Sequence, residues 1–183
     1  MLFNSPSKTQ YQQTGFTLIE LVVVIIVLAI LAVIALPKFI NIKQDAEVAT
    51  VQGMGGAFSG GITLANVKWA ALGNTGPADN LQIFPGGTEG QLDINLWGFP
   101  AQNYPPFESS PRLNNTNDCM SVWRTILQDA PSISTSSDPE NSTYQATYIS
   151  PDQCRYFYNP LPTLSIYYDS RDGRVITDSD PTS

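Results

Sequence analysis

The stretch "QQTGFTLIELVVVIIVLAILAVIALPKF", Gln12 to Phe39, decides how the rest of the chain is read. From Phe16 to Leu36 the only residues that are not apolar are Thr17 and Glu20. A run of about 21 residues at 1.5 Å rise per residue covers a hydrocarbon core of roughly 30 Å, so residues 16–36 are expected to form a membrane-spanning helix. A secretory signal has a shorter apolar core followed by a small-x-small cleavage site, and neither stands near Ala32 or Ala35. A carboxylate inside hydrocarbon is costly unless partnered. Glu20, in the first turn of this helix, is therefore the residue to explain.

The flanks divide the chain further. Met1 to Gly15 is polar, lacks hydrophobic periodicity and carries one charge, Lys8; it reads as a leader. Pro37 removes a backbone donor and is expected to kink the helix without ending it. Beyond it Val48, Val51, Gly55, Phe58, Ile62, Ala65 and Trp69 recur at three- and four-residue steps, the stripe of an amphipathic helix over 37–72 that covers a folded domain. Gly53, Gly55, Gly56, Gly60 and Gly61 fall in the same stretch, each costing about 1 kcal/mol of helix propensity relative to alanine. A weak middle to that helix is the expectation.

Residues 73–183 are expected to form a globular head. Leu72 to Asn117, rich in Pro, Gly and Asn with apolar islands at Leu81–Phe84 and Leu92–Phe99, reads as a long irregular connection. Asn117 or Asp118 is the expected cap of a short helix with Cys119, Val122, Trp123, Ile126 and Leu127 on one face, ending before Pro131. Ser132 to Ser142 reads as an exposed loop. Thr143–Ile149, Cys154–Tyr158 and Leu164–Tyr168 have the aromatic and β-branched content of strands, and Arg171-Asp172-Gly173 before Val175 has that of a hairpin turn.

Composition narrows the function. Nine Lys and Arg against sixteen Asp and Glu give a net charge of −7, so no basic patch awaits a phosphate backbone and nucleic acid is not expected as a partner. Histidine is absent, and no Ser-Lys or Cys-His arrangement replaces it, so no catalytic residues and no enzyme activity are expected. Asp169, Asp172, Asp178 and Asp180 match no EF-hand spacing and read as a solvated turn; neither metal nor cofactor is expected. The two cysteines suit a single disulfide if their part of the chain reaches an oxidising compartment.

Gly15 followed by Phe16-Thr17-Leu18-Ile19-Glu20, a long apolar run and Pro37 resembles the processing site of type IV pilins and pseudopilins. The resemblance implies an α+β pilin fold, a long N-terminal helix packed on a small antiparallel sheet. It implies cleavage between Gly15 and Phe16 by a prepilin peptidase, with N-methylation of Phe16, and a side-chain-free Gly15 suits entry of the backbone into a narrow active site. In this family the partner of Glu20 is the new amine of Phe16 on the same or a neighbouring subunit, which staggers helices in a filament core. The basic residues Lys8, Lys38 and Lys43 orient the helix weakly. The resemblance puts the leader in the cytoplasm and the remainder in the periplasm, single-pass in the inner membrane before assembly on an inner-membrane platform into an extracellular pilus of like or mixed subunits. There Cys119 and Cys154 would pair. Asp45-Ala46, Val51-Gln52-Gly53 and Cys119-x-x-x-Trp123 look most similar to mannose-sensitive haemagglutinin (MSHA) type pilins, which implies cell adhesion. The alternative is a pseudopilin of a type II secretion system, or a minor or priming pilin.

Overall fold

The computed structural model describes residues 15–103, 108–136 and 140–182. They form an α+β structure in which the chain divides into two compact units, residues 1–43 and 44–183. Helix α1 (Leu18–Ala71) runs through the described part of the first unit and, from Gln44, into the second. It continues through Pro37 and through the glycines.

In the second unit the apolar stripe is the buried face of α1: Val51, Phe58 and Ala65 are fully buried and Ile62 nearly so. The glycines of this stretch differ by position in what an added side chain would meet. Gly53, Gly56 and Gly60 face open space, whereas a Cβ on Gly55 would overlap Thr177 and one on Gly61 would come within 2.5 Å of Ile126 Cγ2. These two let the helix approach its neighbours closely.

The segment expected to be irregular is instead a second, three-stranded antiparallel sheet: β1 (Ala78–Gln82), β2 (Gln91–Ile94) and β3 (Pro100–Gln102). Its strands are short, and the register shifts between Ala78 and Leu81, where Asn80 has a φ of 51°. Such a bulge erases the period-two pattern by which strands are read. Trp69 Nε1 donates to Gly76 O (3.0 Å), Asn66 to Gly98 O (2.8 Å) and Lys68 Nζ to Ile83 O (2.9 Å), fastening this sheet to α1.

Helix α2 (Thr116–Ile126) is capped by Asn115, two residues before the expected cap. Asn115 Oδ1 accepts from the N–H groups of Asn117 (2.8 Å) and Asp118 (3.1 Å), while the Asp118 carboxylate accepts from Asn115 N (3.1 Å), a reciprocal capping box. The larger sheet follows: β4 (Ile133–Ser134), β5 (Tyr144–Ile149), β6 (Gln153–Tyr158), β7 (Ser165–Asp169) and β8 (Arg174–Asp178), paired in chain order. β5 to β8 are antiparallel, but β4 runs parallel to β5, so part of the expected Ser-rich loop is a strand with Ile133 buried.

Phe58 of α1 sits where the layers meet. Its ring centroid lies 5.5 Å from Trp123, 5.3 Å from Tyr156 and 5.7 Å from Tyr168, the last two edge-on. The buried polar tips are mostly satisfied by backbone: Trp123 donates to Pro131 O (3.1 Å), Tyr156 to Cys119 O (2.9 Å) and Tyr168 to Pro100 O (2.8 Å). Phe58→Ala is expected to cost about 3–5 kcal/mol, because the three surrounding aromatic rings cannot collapse into the void. Urea unfolding of the full chain in detergent checks this, with exposed Val67→Ala as a control expected to stay within about 0.5 kcal/mol. A loss under about 1 kcal/mol at Phe58 would contradict this packing.

Asp93 on β2 is almost fully buried. Its Oδ1 accepts from Asn80 N (2.7 Å), but Oδ2 has no partner, nor has Nε2 of Gln102, its cross-strand neighbour. Burial pushes this carboxyl above its ordinary value of 3.8, helped by Asp79 and Glu108. A raised acid means the folded state binds the proton more tightly than the unfolded state. The penalty is absent below 3.8, grows as pH rises through the folded value and is complete above it. Asp93→Asn should therefore raise the thermal midpoint at pH 7, and the gain should shrink as pH approaches 4.

Candidate functional site: the start of the apolar helix

Gly15, Phe16 and Thr17 precede the first residue of α1 and are not helical. Thr17 is the cap that ends this extended piece. Its backbone N–H donates to Glu20 Oε2 (2.8 Å), its hydroxyl donates to the same oxygen (2.7 Å), and Glu20 N–H reaches back to Thr17 Oγ1 (3.3 Å). This is a capping box, Thr-x-x-Glu, written plainly in the sequence though not used in the reading of it. Glu20 thus answers part of its own puzzle: its carboxylate satisfies an orphan donor at the positive end of the helix dipole.

Among the described residues, nothing else covers the apolar surface around this box. Phe16 is 83% exposed, and every large apolar side chain from there to Leu36 is exposed. The helix is long and apolar enough to cross a membrane. A surface of this size is not tolerated in water, so its surroundings must be lipid or other apolar helices.

The structure places the other expected residues apart from this end. Pro37 lies inside α1. Cys119 of α2 and Cys154 of β6 are joined as a disulfide, with Cα atoms 5.7 Å apart and both residues fully buried. The bridge ties α2 to the central strand of the larger sheet. Replacing both cysteines by serine is expected to cost about 3–4 kcal/mol on the chain-entropy account of a loop of about 36 residues, measured by urea unfolding against the oxidised parent. No effect on the midpoint would show that the bridge does not constrain the unfolded chain. The expected leader, apart from Gly15, lies outside the described residues.

Asp169 corrects the reading of the C-terminal carboxylates as a solvated turn. It is 1% exposed and accepts a two-pronged pair from Arg171, Nε to Oδ1 at 2.9 Å and Nη2 to Oδ2 at 2.6 Å. Arg171 holds this carboxyl below its usual range. Gly173, at φ 73°, closes the turn with its N–H on Asp169 O (2.9 Å). Asp169 is thus committed to an ion pair within the fold.

The fold is α+β, and its apolar N-terminal helix, opened by the Thr17–Glu20 capping box, is consistent with membrane anchoring. Residues 11–36 match the family model described as the prokaryotic N-terminal methylation motif. This motif gives the N-terminal segment its likeness to type IV pilin-like prepilins and indicates a prepilin-type substrate. The match covers none of the second unit. No curated protein and no solved structure matches the chain.

Proposed function

We propose that this chain is a structural subunit of an MSHA-like type IV pilus, made as an inner-membrane precursor with its second unit in the periplasm and then built into a surface filament for attachment. Prepilin peptidase cuts between Gly15 and Phe16 and methylates the amine of Phe16. The helix from Phe16 to Leu36 leaves the bilayer for the filament core, where Glu20 meets the Phe16 amine of its own or a neighbouring subunit. Pro37 bends the helix where it emerges.

The observation that supports this reading most is the register of the N-terminal segment. The methylation motif, the capped Glu20 and a wholly exposed apolar helix coincide. An apolar helix with no cover among the described residues needs lipid before assembly and sister helices after it. The bilayer serves the precursor, and the filament core serves the mature subunit.

Intact mass spectrometry of protein sheared from the cell surface, with and without reductant, tests the proposal. The expected species begins at N-methylated Phe16 and gains two hydrogens on reduction of the Cys119–Cys154 bridge. Mature chain held in the membrane, with none in the sheared fraction, would instead assign the protein to a periplasmic pseudopilus of a type II secretion system. Full-length chain alone would overturn the cleavage site.

A further inference from the structure

The outer face of the larger sheet holds a cation, Arg155, that enters no ion pair among the described residues. Thr147, Arg155, Tyr167 and Ile176 stand in one cross-strand row. The Arg155 guanidinium carbon lies 6.0 Å from the ring centroids of both Phe157, two residues along β6, and Tyr167, directly opposite on β7. Two rings thus flank the guanidinium at the outer reach of a cation–π contact. Arg155 nevertheless enters no ion pair among the described residues, and its Nε is buried without a hydrogen-bond partner. Its neighbour Arg174 is differently placed, 3.7 Å from Asp169 and 3.8 Å from Asp172. In a chain of net charge −7, an arginine flanked by aromatic rings rather than paired with a carboxylate is a built feature awaiting an anion.

Arg155, Ser165, Tyr167, Arg174, Ile176 and Asp178 border a shallow groove of about 430 Å³ on this face. That volume falls in the range of small-ligand sites. Its lining narrows the ligand class. The planar guanidinium fork suits a carboxylate. Asp178 repels a second negative charge and favours hydroxyl donors, which disfavours phosphates and densely sulfated chains. The Tyr167 ring and the half-exposed Ile176 offer apolar surface for the C–H face of a sugar.

We propose that this groove binds a hydroxylated monocarboxylate of the uronic-acid type, with Arg155 pairing the carboxylate, Asp178 accepting from ring hydroxyls and Tyr167 with Ile176 packing on the ring. The site lies in the second unit and stands independently of how the N-terminal segment is processed.

Saturation-transfer NMR with the full chain in detergent micelles, using glucuronate and glucose as probes, tests this. Glucuronate should bind saturably with a dissociation constant on the order of 1 mM, as fits one ion pair in an open groove. Added salt should weaken that binding. Glucose should bind at least tenfold more weakly. Arg155→Gln should lose at least tenfold in glucuronate affinity with its thermal midpoint unchanged. Should that variant fail to fold, Arg155→Lys, which keeps the charge but loses the planar fork, is expected to lose severalfold. The proposal is overturned if glucuronate does not bind, if glucose binds as tightly, or if the folded variants bind glucuronate like the parent.

Discussion

Gly15→Arg is expected to leave the whole population as uncleaved precursor in the membrane, a loss of processing of at least a hundredfold by quantitative immunoblot. The backbone of this protein does not itself demand glycine there. Gly15 is not in the left-handed region, and a Cβ built on it would meet nothing within 4 Å. A substituent at this position therefore has open space at its root, and loss of cleavage is expected to report on the peptidase. A protease needs an extended backbone at the bond it cuts. The Thr17–Glu20 capping box starts α1 at Leu18 and so leaves the Gly15–Phe16 bond outside the helix. A glycine before that bond lets the enzyme close around bare backbone, and the long arginine side chain blocks that approach. Gly15→Ala, adding one methyl group, should retain partial cleavage. Normal mature protein from Gly15→Arg would refute both the site and this account of it.

How much of this was legible before the structure depends on whether the signal was local. The apolar run of residues 16–36 and the stripe from Val51 to Trp69 are patterns of one helix, and composition alone displays them. Strands β5 to β8 were readable for the same reason, since each is five or six residues of aromatic and β-branched character ending in a turn. The sheet of β1 to β3 was not, because its three strands are short and irregular in register and are anchored to the rest of the fold by long-range bonds such as Asn66 to Gly98 and Asn95 Nδ2 to Ser170 O (2.6 Å). The glycines of α1 carry the same lesson. Gly55 and Gly56 are equivalent as letters, and only the presence of Thr177 beside one of them gives it a packing role. Both capping boxes, Thr17 with Glu20 and Asn115 with Asp118, were local and readable. In the first the charge of Glu20 drew attention to distant partners and away from the nearest one.

That nearest partner sharpens what is expected of Glu20. Glu20→Ala should leave membrane insertion and cleavage largely intact, since the apolar run and the Gly15–Phe16 bond are untouched, yet reduce surface filaments more than tenfold in sheared fractions. Alanine alone is ambiguous, because it removes both the carboxylate proposed to pair with the Phe16 amine and the acceptor for the Thr17 N–H and hydroxyl. Glu20→Gln separates the two. Glutamine keeps a carbonyl oxygen for the Thr17 N–H and completes the same capping box, but it carries no charge. In an apolar filament core a charged pair differs from a neutral one by far more than it does in water, because the amine of Phe16 would be left as an uncompensated cation. Glu20→Gln is therefore expected to fail in assembly nearly as completely as Glu20→Ala while being cleaved at the parental rate. Normal filaments from Glu20→Gln together with their loss in Glu20→Ala would transfer the role of this residue from intersubunit charge pairing to the capping of its own helix. Normal filaments from both would remove Glu20 from assembly.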